Sequence, residues 1–201
     1  MSIFRLLRSY PREAFIVFVI QMGTVMYYLW LIFLPAYANL KGGLDRAEGF
    51  AGSMIATAVY CVAVPVFAYL SDRTGRKPFL ICSAACFVLF TYPLLSMLVG
   101  SITFSAFLFV AITGALFIAL NNSVLGTIFA ELFPTEVRTS GMGIPYAVCA
   151  AIFGGTAPLV ATWLDSLGGV GYVSAYVMAI SLIAIITHIW ITPETRGKAL
   201  D

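Results

Sequence analysis

Four ionisable side chains lie close together in one short stretch, AYLSDRTGRKPFL, which lies between two long apolar runs. Its charged residues are Asp72, Arg73, Arg76 and Lys77. Carboxylates and guanidinium groups this close together form charge-assisted hydrogen bonds, so the chemistry they offer is reversible ion pairing. Gly75 can adopt the positive φ that a tight reversal of the chain requires. The stretch is therefore predicted to be a charged turn between two helices.

A second set of polar residues lies inside apolar runs, where a polar group is costly unless it has a partner. Gln21, Thr24 and Tyr28 are spaced i, i+3 and i+7, which places them on one face of a helix. Asn121 and Asn122 lie midway along another apolar run. We expect these side chains to face the interior of a helix bundle and to bind a substrate there. Hydrogen bonding between helices is the alternative role for Gln21 and the two asparagines.

The amino-acid composition indicates that lipid surrounds most of the outer surface. Hydrophobic residues make up 61% of the 201 residues and charged residues only 10%, whereas a soluble domain carries about 25% charged residues. The net charge of +2 provides no basic face, so no nucleic-acid partner is expected. Cys61, Cys82, Cys86 and Cys149 lie inside apolar runs and are interpreted as small core residues, not metal ligands. We expect no cofactor, no metal and no enzyme activity.

The apolar runs predict an all-α membrane protein. A bilayer core about 30 Å thick requires about 20 helical residues, and the runs do not alternate with the period of two that a β-barrel requires. We predict one transmembrane domain over residues 14–191, flanked by a cytoplasmic segment 1–13 and a cytoplasmic tail 192–201. The six predicted helices run from Ala14 to Tyr37, Gly49 to Leu70, Pro78 to Met97, Phe104 to Leu132, Met142 to Leu164, and Val173 to Ile191.

The distribution of cations predicts the orientation of these helices. Only Lys41 and Arg46 fall on one side of the predicted membrane. Since short cytoplasmic loops are enriched in Lys and Arg, the opposite side is predicted to be the cytoplasm, with both termini there and the chain in the inner or plasma membrane. The cations on that side are Arg5, Arg8, Arg12, Arg73, Arg76, Lys77, Arg138, Arg196 and Lys198.

Three motifs resemble those of the major facilitator superfamily. The charged stretch resembles its G-x-L-a-D-R-x-G-R-K-x-x-L motif, departing from it at Ala68 and Ser71. The segment ELFPTEVR resembles an E-x6-R element after the fourth helix of a half-transporter, and PETRG resembles the tail after the last helix. The last two belong to the second half of the twelve-helix fold. The chain therefore resembles a C-terminal half, six helices arranged as two inverted three-helix repeats.

The segment from ELFP to ATWL is most similar to the metabolite:proton symporter family, whose members carry small organic acids, proline and betaines. This resemblance implies secondary transport of a small polar metabolite by alternating access, with the proton as coupling ion. It also implies a partner in the bilayer, either an N-terminal six-helix half or a second copy. The residues that would form the cytoplasmic gate are Asp72, Arg73, Gly75, Arg76, Glu131, Arg138 and Glu194.

Other interpretations stay open at this point. A sugar porter would share ELFP, the charged stretch and PETRG, and a truncated or split membrane fragment would share them without moving solute. A channel is the least favoured interpretation, because the sequence contains no charged or glycine-rich element that could form a ring-shaped filter. No predicted helix carries a carboxylate at mid-membrane, so the coupling acid is expected in the other half. His188, near the end of the last helix, is expected to be an interfacial residue.

Overall fold

The protein folds into long apolar helices joined by short turns. The computed structural model describes residues 9–194, and within that range it contains helices and no strand. Six of these helices are long and apolar enough to cross a membrane, which confirms the predicted all-α fold with six membrane-length helices. They are α1 (Pro11–Gly42), α2 (Arg46–Thr74), α3 (Lys77–Ser96), α4 (Phe104–Leu132), α5 (Arg138–Gly168) and α6 (Val170–Trp190).

Local sequence explains where several helices begin and end. The side chain of Asp45 accepts a hydrogen bond from the N–H of Ala47 at 2.9 Å and caps the start of α2. Thr103 caps α4 in the same way. At the end of α1, Gly43 has a φ of +67° and stops the helix, as a left-handed residue does. The α1–α2 turn is therefore short, and the two helices become neighbours.

Helix α1 lies at the centre of the bundle. Trp30 is fully buried and donates a hydrogen bond from its indole N–H to the carbonyl of Val110 at 3.1 Å. A methyl group added to Gly114 would overlap the indole ring of Trp30, so the glycine is what admits this contact. Of the most apolar window of each helix, 65% is buried in α1 but only 11% in α2. Helix α1 is thus the core element, and α2 presents most of its surface outward.

Helices α1 and α5 are each interrupted by a turn that is not regular α-helix. Each contains a π-helical turn, Tyr28–Phe33 in α1 and Ala150–Gly154 in α5. A proline follows each turn. Pro35 has no N–H for the carbonyl of Leu31, and Pro158 has none for that of Gly154, so the backbone widens instead of continuing as a regular helix. The π turn of α1 packs against the later part of α5.

Candidate functional site

A tight turn between α2 and α3 organises the end of the bundle that carries most of the charge. Gly75 has a φ of +106°, which reverses the chain within one residue. The next two residues begin α3, and the carboxylate of Glu194 accepts their backbone N–H groups, from Arg76 at 3.1 Å and from Lys77 at 3.2 Å. A carboxylate there satisfies donors that a helix start leaves open and complements its dipole.

The Arg76 guanidinium forms the centre of an ion-pair cluster at the same end. It pairs with Glu131 in the last turn of α4, and both side chains are nearly buried, 11% and 5% exposed. It also lies 3.5 Å from the carboxylate of Asp72, whose side chain is 64% exposed. We call Asp72, Gly75, Arg76, Glu131 and Glu194 the charged-end cluster. Together they connect α2, α3 and α4 with the residues that follow α6.

Two residues grouped with these in the sequence analysis lie apart from them. The Arg73 guanidinium stacks 4.5 Å from the centre of the Tyr69 ring and donates a hydrogen bond to its hydroxyl. Arg138 donates from Nε to the carbonyl of Phe133 at 3.3 Å, closing the turn between α4 and α5. Both cations therefore stabilise local structure, and in residues 9–194 neither forms an ion pair with the charged-end cluster.

The two asparagines predicted to face the interior form a hydrogen-bonded series with a residue that the sequence analysis missed. Asn121 donates to the side-chain oxygen of Asn122 at 3.4 Å, and Asn122 donates to the hydroxyl of Tyr60 in α2 at 2.8 Å. The Tyr60 ring packs edge-on against Tyr27, with centroids 6.1 Å apart, and Tyr27 packs in the same way against Tyr28. These half-buried side chains form a polar, aromatic surface midway along the bundle.

The other predicted substrate-binding residues are placed differently. Gln21 is only 3% exposed and lies inside the bundle rather than on that surface. Thr24 belongs to α1, in the segment Thr24–Tyr27, and its side chain lies outside the described part of the structure.

The expected interfacial position of His188 is wrong. The side chain is 2% exposed and its Nδ1 lies 3.3 Å from the hydroxyl of Thr192. Packing of α6 against α3 encloses the side chain within the bundle. It lines a cavity of about 20 Å³ together with Ser83, Asn121 and Ser181. That volume suits a single water molecule, not a metabolite.

Comparison with known proteins identifies the family. The model of the sugar (and other) transporter family matches residues 1–201. The chain belongs to this transporter family. The match confirms the major facilitator resemblance carried by the charged stretch, ELFPTEVR and PETRG.

Three curated members of the transporter family illustrate the similarity. Alpha-ketoglutarate permease of Escherichia coli (strain K12) is 31% identical over 94% of this chain and 44% of its own length. The ectoine/proline transporter ProP of Corynebacterium glutamicum is 34% identical over 84% of this chain and 33% of its own. A putative proline/betaine transporter of Staphylococcus aureus (strain COL) is 26% identical over 98% and 42%. The chain thus spans less than half the length of these relatives.

A second cluster lies at the opposite end of this transporter-family bundle. The Lys41 ammonium group is 2.5 Å from the carboxylate of Asp165 near the end of α5, and the Tyr37 hydroxyl donates to the other carboxylate oxygen at 3.0 Å. The sequence pattern predicts Lys41 only as a cation in a loop. The pair joins residues that are 124 positions apart in sequence, which no local pattern encodes.

Proposed function

We propose that this chain is one half of a secondary transporter that moves a small polar metabolite across the membrane by alternating access. The observation that carries the proposal is the charged-end cluster in a bundle of the transporter family. A nearly buried Arg76–Glu131 pair ties α3 to α4, and Glu194 ties the end of α6 to the start of α3. The cluster acts as the gate at the cytoplasmic side, closed in one state and separated in the other.

The energetics of burial support a role in switching. Exposed ion pairs contribute under about 1 kcal/mol, whereas removing one partner of a buried pair costs about 3–5 kcal/mol. The nearly buried Arg76–Glu131 pair belongs to the second class, while Asp72 at 64% exposed belongs to the first. A few kcal/mol is enough to set the ratio of two conformations. In this proposal Asp72 adjusts the equilibrium and Glu131 sustains the closed arrangement.

The substrate class follows from the relatives and is part of the proposal. Their names specify alpha-ketoglutarate, ectoine and proline, and a citrate-proton symporter of Salmonella typhi is 24% identical over 75% of the chain. We infer a small organic acid, proline or betaine as substrate and proton symport as the coupling. A sugar is the second candidate, because the family model is named for sugar transporters.

The partner and the orientation are also proposed. The outward surface of α2 and α5 is covered by a second six-helix unit, an N-terminal half or another copy, within the inner or plasma membrane. Both termini lie in the cytoplasm, as the bias of cations toward the charged end favours. No enzyme activity is proposed.

Uptake assays test the function. The complete transporter, with its partner unit, is reconstituted in proteoliposomes and supplied with labelled alpha-ketoglutarate, citrate, proline, betaine or glucose, with and without an inward proton gradient. We expect one carboxylate to accumulate and the accumulation to collapse when the gradient is dissipated. Failure of every substrate to enter would refute the transport proposal, and selective entry of glucose would establish the second candidate.

The gate is tested with Asp72→Asn in the same proteoliposomes. Loss of the Asp72 charge weakens the closed arrangement, so we expect turnover to fall about threefold or more while the amount of folded protein is unchanged. Glu136→Gln is the matched control, because Glu136 is an exposed carboxylate at the same end without a described ion pair. Equal uptake by Asp72→Asn and the control would exclude Asp72 from the gate.

A further inference from the structure

The hydrogen bonds around Tyr60 run in one direction. Asn121 donates to Asn122, and Asn122 donates to the phenolic oxygen of Tyr60. Because that oxygen already accepts a hydrogen bond, its own O–H is left to donate, and within residues 9–194 the structure gives it no acceptor. Hydrogen bonds in series polarise one another, so the last donor in the series is strengthened. The series therefore ends in a phenolic donor.

The position of Tyr60 makes this donor unusual. Tyr60 is the middle residue of α2 (Arg46–Thr74), far from the membrane interfaces where tyrosines usually lie. A hydroxyl at that depth is costly without an acceptor. The edge-on contact with Tyr27 fixes the ring, and the hydrogen bond from Asn122 fixes the oxygen. The donor is therefore preorganised on the interior surface of the bundle rather than free to find lipid or solvent.

The charge of the surroundings indicates what this donor would bind. The described lysines and arginines lie at the two ends of the helices, so none faces the middle of the bundle. The phenolic O–H of Tyr60 is thus a fixed neutral donor that this half offers to an anion at mid-membrane. An O–H donor bonds most strongly to an ionised oxygen acceptor, at short distance. We propose that Tyr60 is a substrate-binding residue that donates its hydroxyl proton in a hydrogen bond to a carboxylate of the transported metabolite.

This inference rests on the proposed transport function and narrows it to carboxylates. It assigns Asn122 a positioning role, because the Asn122 amide occupies the phenolic oxygen and leaves the O–H to point toward the substrate. Asn121 supports the orientation of Asn122 in turn.

The test is Tyr60→Phe in the complete transporter, which removes one oxygen and keeps the ring that packs against Tyr27. Uptake of labelled proline is competed with unlabelled proline, which has a carboxylate, and with prolinamide, which has none; alpha-ketoglutarate and its dimethyl ester form the second pair. We expect Tyr60→Phe to raise the inhibition constant of the carboxylate competitor about tenfold or more. The inhibition constant of the amide or ester should change by less than about twofold. Tyr92→Phe is the control, since Tyr92 is 53% exposed on α3.

The outcomes are separable. Wild-type protein that takes up none of the five labelled substrates named above would overturn the transport proposal and this inference with it. Wild-type uptake with unchanged carboxylate affinity in Tyr60→Phe would overturn this inference alone, and so would equal losses for the acid and its neutral analogue. If Tyr60→Phe does not fold, Asn122→Ala takes its place. It should show the same preferential loss for the carboxylate, because it removes the group that positions the phenol, and equal losses again contradict the inference.

Discussion

Gly75 shows how much one backbone position controls at the charged end. Its φ of +106° is one that residues with a side chain rarely adopt, and a Cβ there would lie 2.9 Å from the Glu194 carboxylate. The reversal and the cap on α3 therefore both depend on the absence of a side chain. Through that cap Glu194 stays beside Arg76, so a single glycine keeps two members of the charged-end cluster together.

We predict that Gly75→Ala lowers the free energy of unfolding by about 1–3 kcal/mol, because alanine is strained at this φ and displaces Glu194. Unfolding in mixed detergent micelles with increasing sodium dodecyl sulfate measures the change. Gly143→Ala is the matched control: Gly143 lies in α5, has no positive φ, and a methyl group there meets no described atom within 4 Å. Equal stability of the two variants would contradict the account of the turn.

Side-chain contacts show what the sequence could predict at this scale. Local motifs grouped Asp72, Arg76 and Glu194 because each lies in a charged stretch that must leave the lipid. They could not separate Arg73, which finds an aromatic ring four residues earlier on its own helix. Tyr60 escaped prediction because its partner is 62 positions away and depends on how α2 and α4 pack.

At the scale of helices, the six spans could be predicted because the thickness of the bilayer fixes their length. The π-helical turns in α1 and α5 could not be predicted. Pro35 and Pro158 were visible in the sequence, but whether a proline bends, widens or ends a helix depends on its neighbours. Here the π turn of α1 packs against Gly155–Gly168, the segment after the π turn of α5. That segment is also joined to Leu34–Gly42 by the ion pair of Lys41 and Asp165. The ion pair of Lys41 and Asp165 therefore holds the C-terminal part of α5 to the C-terminal part of α1.

We predict that Asp165→Asn lets these outer segments separate. Spin labels at Leu40 and Leu167, both exposed, report the distance between them by pulsed electron paramagnetic resonance. The mean distance should increase by about 2 Å, or its distribution should broaden, because the ammonium loses its counter-ion and the π turn offers a hinge. Exchange of the two charges, Lys41→Asp with Asp165→Lys, should restore the narrow distribution.

The control for this measurement is Ser166→Ala. Within residues 9–194 the exposed Ser166 hydroxyl donates only to the carbonyl of Trp163 in its own helix. The substitution should leave the distance unchanged. A distribution in Asp165→Asn that matches the wild type would show that backbone packing, not the ion pair, holds the outer part of α5.

For the whole molecule, burial and charge together give the bundle two kinds of asymmetry. Helix α1 is enclosed while α2 and α5 are not, which leaves the polar surface around Tyr60 beside helices that a second unit would cover. Along the length of the helices, cations concentrate at the end that holds the charged-end cluster. In the proposed transporter, the first asymmetry would set where a partner packs, and the second would set how the bundle is inserted.

The orientation is a prediction that labelling decides. Ser101 lies in the exposed α3–α4 turn at the Lys41 end, and Thr135 is exposed in the α4–α5 turn at the charged end. In intact cells a membrane-impermeant maleimide should label Ser101→Cys, whereas Thr135→Cys should require lysis, because positively charged turns stay in the cytoplasm. Wild-type protein controls for its own cysteines, which lie within the helices. If Thr135→Cys is labelled before lysis, the orientation is the reverse of the predicted one and the charged-end cluster lies outside the cell.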